Sequence, residues 1–184
     1  MGERISMSMD WRKDKKWSDR FLPEIKSALG LHLIGAAPEI DDQMRNTDLI
    51  VLKMEAVRIA CRIRQFKWWQ CCANEFTIRV SRPSGAKTEL TKVIEGWGNY
   101  FFYGFASENE ASLHAWLIGD LNAFRLWHSR KLLRGVVPGT LKSNGDGSSD
   151  FRYYDAREVP GFVVAASPGH PVSECPLGPL FQVG

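Results

Sequence analysis

The segment VRIACRIR, residues 57–64, alternates between apolar positions and positions that are mostly basic. A period of two is typical of a β-strand that buries one face, because successive side chains point to opposite sides. The segment EFTIRV, residues 75–80, repeats this pattern. If the two strands are neighbours, one face of a sheet carries four arginines, namely Arg58, Arg62, Arg64 and Arg79. This shared arginine face is the most informative feature of the sequence.

The flanking segments predict a mixed α/β domain, with one central sheet flanked by helices. Phe21, Ile25 and Leu29 recur at every fourth position, which is typical of one face of a helix. The residues TDLIVLKM, at 47–54, predict a strand that is covered on both faces. The predicted elements are a helix from Ser18 to Gly30, strands at 47–54, 57–64 and 75–80, a helix at 87–97, a strand at 99–106 and a strand within 113–127.

The composition is that of one folded domain. The chain has 184 residues, a net charge of +3, 44% hydrophobic residues and 24% charged residues. We expect a basic arm at residues 1–16, a core domain at 17–135 and an extension at 136–184, which holds six of the nine prolines and seven of the sixteen glycines. Mostly irregular structure is expected at 136–150 and 167–184, while 151–166 docks on the core.

Several classes of protein are excluded at this point. No apolar run reaches the roughly 18 residues that span a bilayer, and the charged N-terminus has no signal-peptide pattern, so we expect no membrane partner. The four cysteines form no CxxC pair, which favours reduced thiols and a cytoplasmic location without zinc. Phosphate-binding glycine motifs are absent, so no nucleotide cofactor is expected.

Basic and aromatic residues are interleaved in two stretches, at residues 11–20 and 58–69. Cations and planar rings suit a phosphate backbone with exposed bases, so DNA or RNA is the expected partner. The predicted contact residues are Arg58, Arg62, Arg64, Arg79, Lys87 and Trp68. One alternative is a solvated charged face beside core aromatics. Another is a protein-interaction or assembly module whose arginines pair with acids, and a homodimer is compatible with the sequence.

One combination of elements resembles a known family. A helix with Glu24, the strand TDLIVL with Asp48, the basic strand VRIACRIR, an amphipathic helix and the strand NYFFYGFA are similar to the core of the PD-(D/E)xK, or restriction-endonuclease-like, nucleases. The resemblance covers about Ser18 to Ala106. It implies that Asp48 and an acid-x-Lys triplet on the next strand hold Mg²⁺ at a scissile phosphate. A structural cap, or an ion pair with Arg45, is the alternative role for Asp48.

The triplet itself departs from the family pattern, because residues 62–64 read Arg-Ile-Arg and supply no acid. Glu75 or Glu89 is the candidate for a displaced carboxylate, with Asp48 and Glu75 as the expected Mg²⁺ ligands. Arg62 can clamp a phosphate, but an arginine does not deprotonate and cannot act as a general base. The two hypotheses are a nuclease with a migrated acid and a relative that only binds nucleic acid. Cleavage requires that Asp48, Glu75 and Glu89 converge.

Overall fold

The computed structural model describes residues 11–36, 49–51, 57–81, 85, 87–145 and 147–174. The helices of this part of the chain are α1 (Trp11–Asp19), α2 (Leu22–Leu33), α3 (Phe66–Cys72), α4 (Glu89–Ile94) and α5 (Leu121–Leu133). The strands are β1 (Ile34–Ala36), β2 (Leu49–Val51), β3 (Ile59–Arg64), β4 (Glu75–Ser81), β5 (Tyr100–Ala106), β6 (Leu113–Asp120), β7 (Thr140–Ser143), β8 (Asp150–Asp155) and β9 (Val163–Ala166). Two short 3-10 helices follow β8 and β9, at Ala156–Glu158 and Pro171–Glu174.

The predicted mixed α/β class is confirmed, but the strands form more than one sheet. A four-stranded sheet has the order β3-β5-β6-β9, with β3 parallel to β5 and the other pairs antiparallel. A three-stranded antiparallel sheet has the order β4-β8-β7, and β1 pairs with β2. The expectation that β3 and β4 are neighbours in one sheet is wrong. Local alternation does not reveal that β4 pairs with β8, which lies about seventy residues further along the chain.

Strand β5 is buried on both faces and separates two hydrophobic clusters. Phe101, Tyr103 and Phe105 pack with α5 and the three-stranded sheet. Phe102 and Ala106 face the opposite way, against α2. Burying a phenylalanine contributes about 1.5–3 kcal/mol before entropy is counted, so this one strand supplies a large part of the core.

Helix α2 covers the outer face of the four-stranded sheet. Phe21 and Ile25 are buried there beside Ile63 of β3, and Leu29 is partly buried, as their spacing predicts. The helix continues past the predicted stop at Gly30 and ends at Leu33. A β-carbon at Gly30 would meet nothing within 4 Å, so packing does not require a glycine at this position. The helix continues through it.

The segment after Gly135 is part of both sheets. It supplies β7, β8 and β9, and Tyr154 and Phe162 are fully buried in the cluster that also contains Phe76 and Phe124. Residues 151–166 dock on the core as predicted, and the described residues of 136–150 are mostly irregular as predicted, with β7 and the first residue of β8 as their regular part. Gly139, Gly147 and Gly161 have positive φ angles in the turns around these short strands, so the glycines connect strands instead of preventing them.

Three further differences concern the N-terminal half and the helices. Residues 11–16 of the predicted arm are helical, because α1 begins at Trp11. Helices α3 and α5 are not among the predicted elements. Asp48, residues 1–10 and most of the predicted strand at 47–54 lie outside the described residues. Within the part that the structure describes, no helix has both the length and the apolar character needed to cross a membrane.

Candidate functional site

A groove of about 990 Å³ lies beside β3, the edge strand of the four-stranded sheet. Its lining comes from α1, β3, α3 and β4, together with the β7–β8 hairpin. The basic residues that line it are Lys13, Lys15, Arg62, Arg64, Lys67 and Arg79. The aromatic residues are Trp17, Trp68 and Phe151, and the acidic residues are Glu89 and Glu110. Basic side chains therefore outnumber carboxylates by four.

Arg62 joins the two sheets at the floor of this groove. Its Nη2 donates to both carboxylate oxygens of Glu89, and its Nη1 donates to the Thr77 carbonyl at 3.0 Å and the Thr77 hydroxyl at 2.9 Å. The Arg62 side chain is only 18% exposed. Glu89 also accepts the backbone N–H of Arg79 at 3.0 Å. Side-chain contacts thus connect β3, β4 and α4 where no strand pairing exists between β3 and β4.

The hydroxyl of Thr77 is shared by several groups beneath the groove. Arg64 Nη1 donates to it at 3.2 Å, and the Tyr103 hydroxyl lies 3.3 Å away. Burial raises the pKa of Tyr103, although the nearby Arg64 and Arg62 act in the opposite direction. Tyr103 is therefore a neutral hydroxyl under ordinary conditions. The network holds Arg64 in place against a rigid core.

Trp68 forms an exposed platform at one wall of the groove. The Arg64 guanidinium carbon lies 4.7 Å from the centre of its ring and the Lys67 ammonium 5.6 Å, while 39% of the residue remains exposed. The adjacent Trp69 points the other way and contacts Phe105 and His170 edge-on. Consecutive residues of a helix point in different directions, so Trp69 anchors α3 and leaves Trp68 at the surface.

Both carboxylates of the groove already accept hydrogen bonds from the protein. Glu110 accepts from Trp17 Nε1 at 2.7 Å and from Arg20 at 3.4 Å. Glu89 is held by Arg62 and by the Arg79 backbone. Their negative charges are therefore offset locally, and the groove carries positive potential.

Some predicted site residues converge and others do not. Arg62, Arg64, Arg79, Trp68 and Glu89 all line the groove. Arg58 and Lys87 are not among the lining residues. The Arg58 guanidinium lies 5.8 Å from the ring centre of Trp97, and Lys87 pairs with Glu95 at 2.8 Å. The arginine face is thus divided, because Arg58 contacts another part of the surface while Arg62, Arg64 and Arg79 line the groove.

The described carboxylates do not fit a magnesium site. Glu89 contacts the backbone of Arg79. Glu75 is four residues away from Arg79 along β4, which is about 13 Å in a strand, so Glu75 and Glu89 lie at different places along β4. Both oxygens of Glu89 accept from Arg62, so its charge is offset by a guanidinium and not by a metal ion. Within the described ranges, no group of three histidine, cysteine or acidic residues could hold a metal ion. Asp48 lies outside those ranges.

The groove also contains residues that the prediction did not assign to a site. Lys13, Lys15 and Trp17 belong to the first stretch of interleaved basic and aromatic residues, at 11–20. The composition of this stretch indicates a binding surface, but it does not show that the stretch lies beside β3. Phe151 reaches the groove from β8, and no local pattern marks it. Comparison of the chain with known protein families, with curated proteins and with solved structures found no match. The chemistry of the groove is therefore the basis for assigning a function.

Proposed function

We propose that the groove binds nucleic acid, either DNA or RNA. The observation that carries the proposal is the excess of lysine and arginine in a groove whose two carboxylates are already held by the protein's own donors. A phosphate backbone presents repeated negative charges that these cations can neutralise, and binding releases the counterions of the nucleic acid. Trp17, Trp68 and Phe151 add aromatic contacts to this charge.

The lining residues have different roles in this proposal. Lys67 is exposed on α3, and together with Lys13 and Arg79 it provides phosphate contacts. Arg64 provides a further charge that is oriented by Thr77. Arg62 serves mainly to hold the groove together, because its guanidinium is already engaged by Glu89 and Thr77. This ion pair is the kind of internal partner that the assembly-module alternative expects.

The proposal is binding without cleavage. Glu75 and Glu89 do not combine into a metal site, and the arginines cannot activate a water molecule. The groove therefore lacks a described group that could act as a general base beside a metal. If the protein degraded DNA or RNA in the presence of Mg²⁺, this part of the proposal would be wrong.

The test compares two exposed lysines on short helices. Lys67 on α3 lines the groove, whereas Lys92 on α4 is not among its lining residues. We expect Lys67→Ala to weaken nucleic-acid binding and to reduce the slope of log affinity against log salt by about 0.7–0.9 for the lost phosphate contact. Lys92→Ala should leave both quantities unchanged. Fluorescence anisotropy over a salt series measures them.

Two outcomes would overturn the proposal. One is the absence of nucleic-acid binding by the wild type at low salt, and the other is an equal loss in both lysine variants. Binding of an acidic polypeptide in place of DNA or RNA would instead support the alternative of a protein-interaction module.

A further inference from the structure

We infer that the ligand of the groove is single-stranded, and that one of its bases stacks on Trp68. This inference rests on the proposed function and specifies the form of nucleic acid that the same site accepts. It follows from the position of an exposed indole among fixed cations, and from the size of the groove.

The first step concerns the Trp68 platform. Arg64 lies against this ring and is itself held by the buried hydroxyl of Thr77, so the indole and the guanidinium form a fixed pair. Lys67, in contrast, is exposed and carries a flexible side chain, and its ammonium can move to a phosphate. The 39% of Trp68 that remains exposed is an apolar surface that a nucleobase can cover.

The second step concerns the form of the nucleic acid. The bases of a duplex are stacked on one another and expose only their edges, so they cannot cover an indole without being unstacked. Unpaired bases present their faces, and stacking on an aromatic side chain contributes about 1–3 kcal/mol per base. A volume of about 990 Å³ is at the upper end of the range for pockets that hold one small molecule, and so suits a short run of nucleotides.

The third step concerns the surroundings of the platform. Trp17 and Phe151 line the same groove from α1 and β8, together with the six basic residues. Cations and rings in one groove allow a strand to place its phosphates on lysine and arginine while its bases face the aromatic groups. A site that only neutralises charge would gain nothing from these rings.

The experiment uses three probes with the full-length protein: a labelled 15-nucleotide single strand of mixed sequence, the duplex of the same sequence, and inorganic polyphosphate. We expect the wild type to bind the single strand more tightly than the duplex. Trp68→Ala should weaken single-strand binding by about 5- to 150-fold, as expected for the loss of one stacked base. Polyphosphate binding should change by less than about twofold, because polyphosphate has no bases.

Trp97 provides the matched control. It is exposed, it has an arginine over its ring as Trp68 does, and it is not among the residues that line the groove. Trp97→Ala should therefore leave all three affinities unchanged. Trp68→Phe, which preserves an aromatic face, should recover most of the single-strand affinity.

A second measurement needs no variant. A single strand that carries 5-iodouridine can be cross-linked to the wild-type protein by light, and the cross-linked peptide can be identified by mass spectrometry. A cross-link at Trp68 supports the inference, whereas a dominant cross-link at Trp97 overturns it. A preference for the duplex, or an equal loss of all three ligands in Trp68→Ala, also overturns the inference while leaving nucleic-acid binding intact. If the wild type binds polyphosphate but neither nucleic acid, the proposed function itself fails.

Discussion

Arg62 and Arg64 are two residues apart on β3, yet their surroundings give them different roles. Arg62 contacts Glu89 through one terminal nitrogen and Thr77 through the other, whereas Arg64 contacts Thr77 and lies against Trp68. Both were equivalent members of a basic strand face when only the sequence was considered. In the structure, Arg62 is mainly a link between the two sheets and Arg64 belongs to the groove surface.

Replacing Arg62 should therefore lower stability, although the sequence alone predicts a tolerated surface change. In Arg62→Ala, Glu89 and Thr77 lose the hydrogen bonds that Arg62 donates in a partly buried position, so we expect a loss of about 1–3 kcal/mol in the free energy of unfolding. Arg58→Ala is the control, because Arg58 is exposed and should cost less than about 0.5 kcal/mol. Urea denaturation of both variants measures the difference. Equal stability of Arg62→Ala and the wild type would show that the link is unimportant.

At the scale of elements, local pattern was sufficient wherever a strand or helix has its own periodicity. The sequence predicts β3, β4 and the buried face of α2 because their apolar positions repeat at a regular interval, and it predicts β5 from its run of aromatic residues. The strand predicted within 113–127 is present as β6, but the helix α5 that begins directly after it at Leu121 is not predicted. The Asp120 side chain in fact accepts from the backbone N–H groups of Asn122 and Ala123, and so caps a helix at that point.

Less of the candidate site than of the helices and strands could be predicted from the sequence. Arg64, Arg79 and Trp68, which the sequence assigns to one surface, all line the same groove. The sequence does not show that Arg58 and Lys87 lie outside this groove. Arg58 contacts Trp97 and Lys87 contacts Glu95, and both contacts depend on the orientation of α4 and of the loop after it. The sequence could not add Phe151 either, because the pairing of β4 with β8 is set by tertiary packing.

Two glycines should respond in opposite ways to the same substitution. Gly30 lies inside α2 with free space around it, so Gly30→Ala should stabilise the protein by about 0.5–1 kcal/mol. Gly119 lies in β6 under the ring of Phe162, and an added methyl group would overlap that ring. Gly119→Ala should therefore cost about 1–3 kcal/mol through overpacking. Thermal unfolding of the two variants checks both signs, and a shift in the same direction would contradict this account of α2 or β6.

At the scale of the whole molecule, His170 anchors the last described residues, 167–174, to the core. This residue is completely buried, its Nδ1 accepts the backbone N–H of Val172, and its ring contacts Trp69 of α3. Burial lowers the pKa of His170 to about 4 from the usual value near 6.5. The same cause lowers the pKa of His128, with a further contribution from Arg152.

This burial predicts a particular response of stability to acid. The unfolded chain binds a proton at His170 more readily than the folded protein does. His170 therefore does not lower the free energy of unfolding above about pH 6.5, and it lowers this free energy progressively as the pH decreases towards 4. The contributions of Asp150 and Asp155, whose pKa values are lowered by hydrogen bonds, are lost only at lower pH. Urea midpoints between pH 7 and 4 should decrease, and His170→Asn should reduce that decrease. A pH-independent wild type in this range would contradict the prediction.

The order of the strands along the chain also affects when the four-stranded and three-stranded sheets can form during synthesis. Along the chain, β3 belongs to the four-stranded sheet, β4 to the other, β5 and β6 to the first, β7 and β8 to the second and β9 again to the first. Neither sheet can be completed from a continuous stretch of sequence. On a ribosome that adds about 5–20 residues per second, the strands made first wait several seconds or more for β8 and β9 to emerge. During this interval the aromatic side chains of β5 lack part of their cover, so the nascent chain is a natural client for chaperones that bind exposed apolar segments.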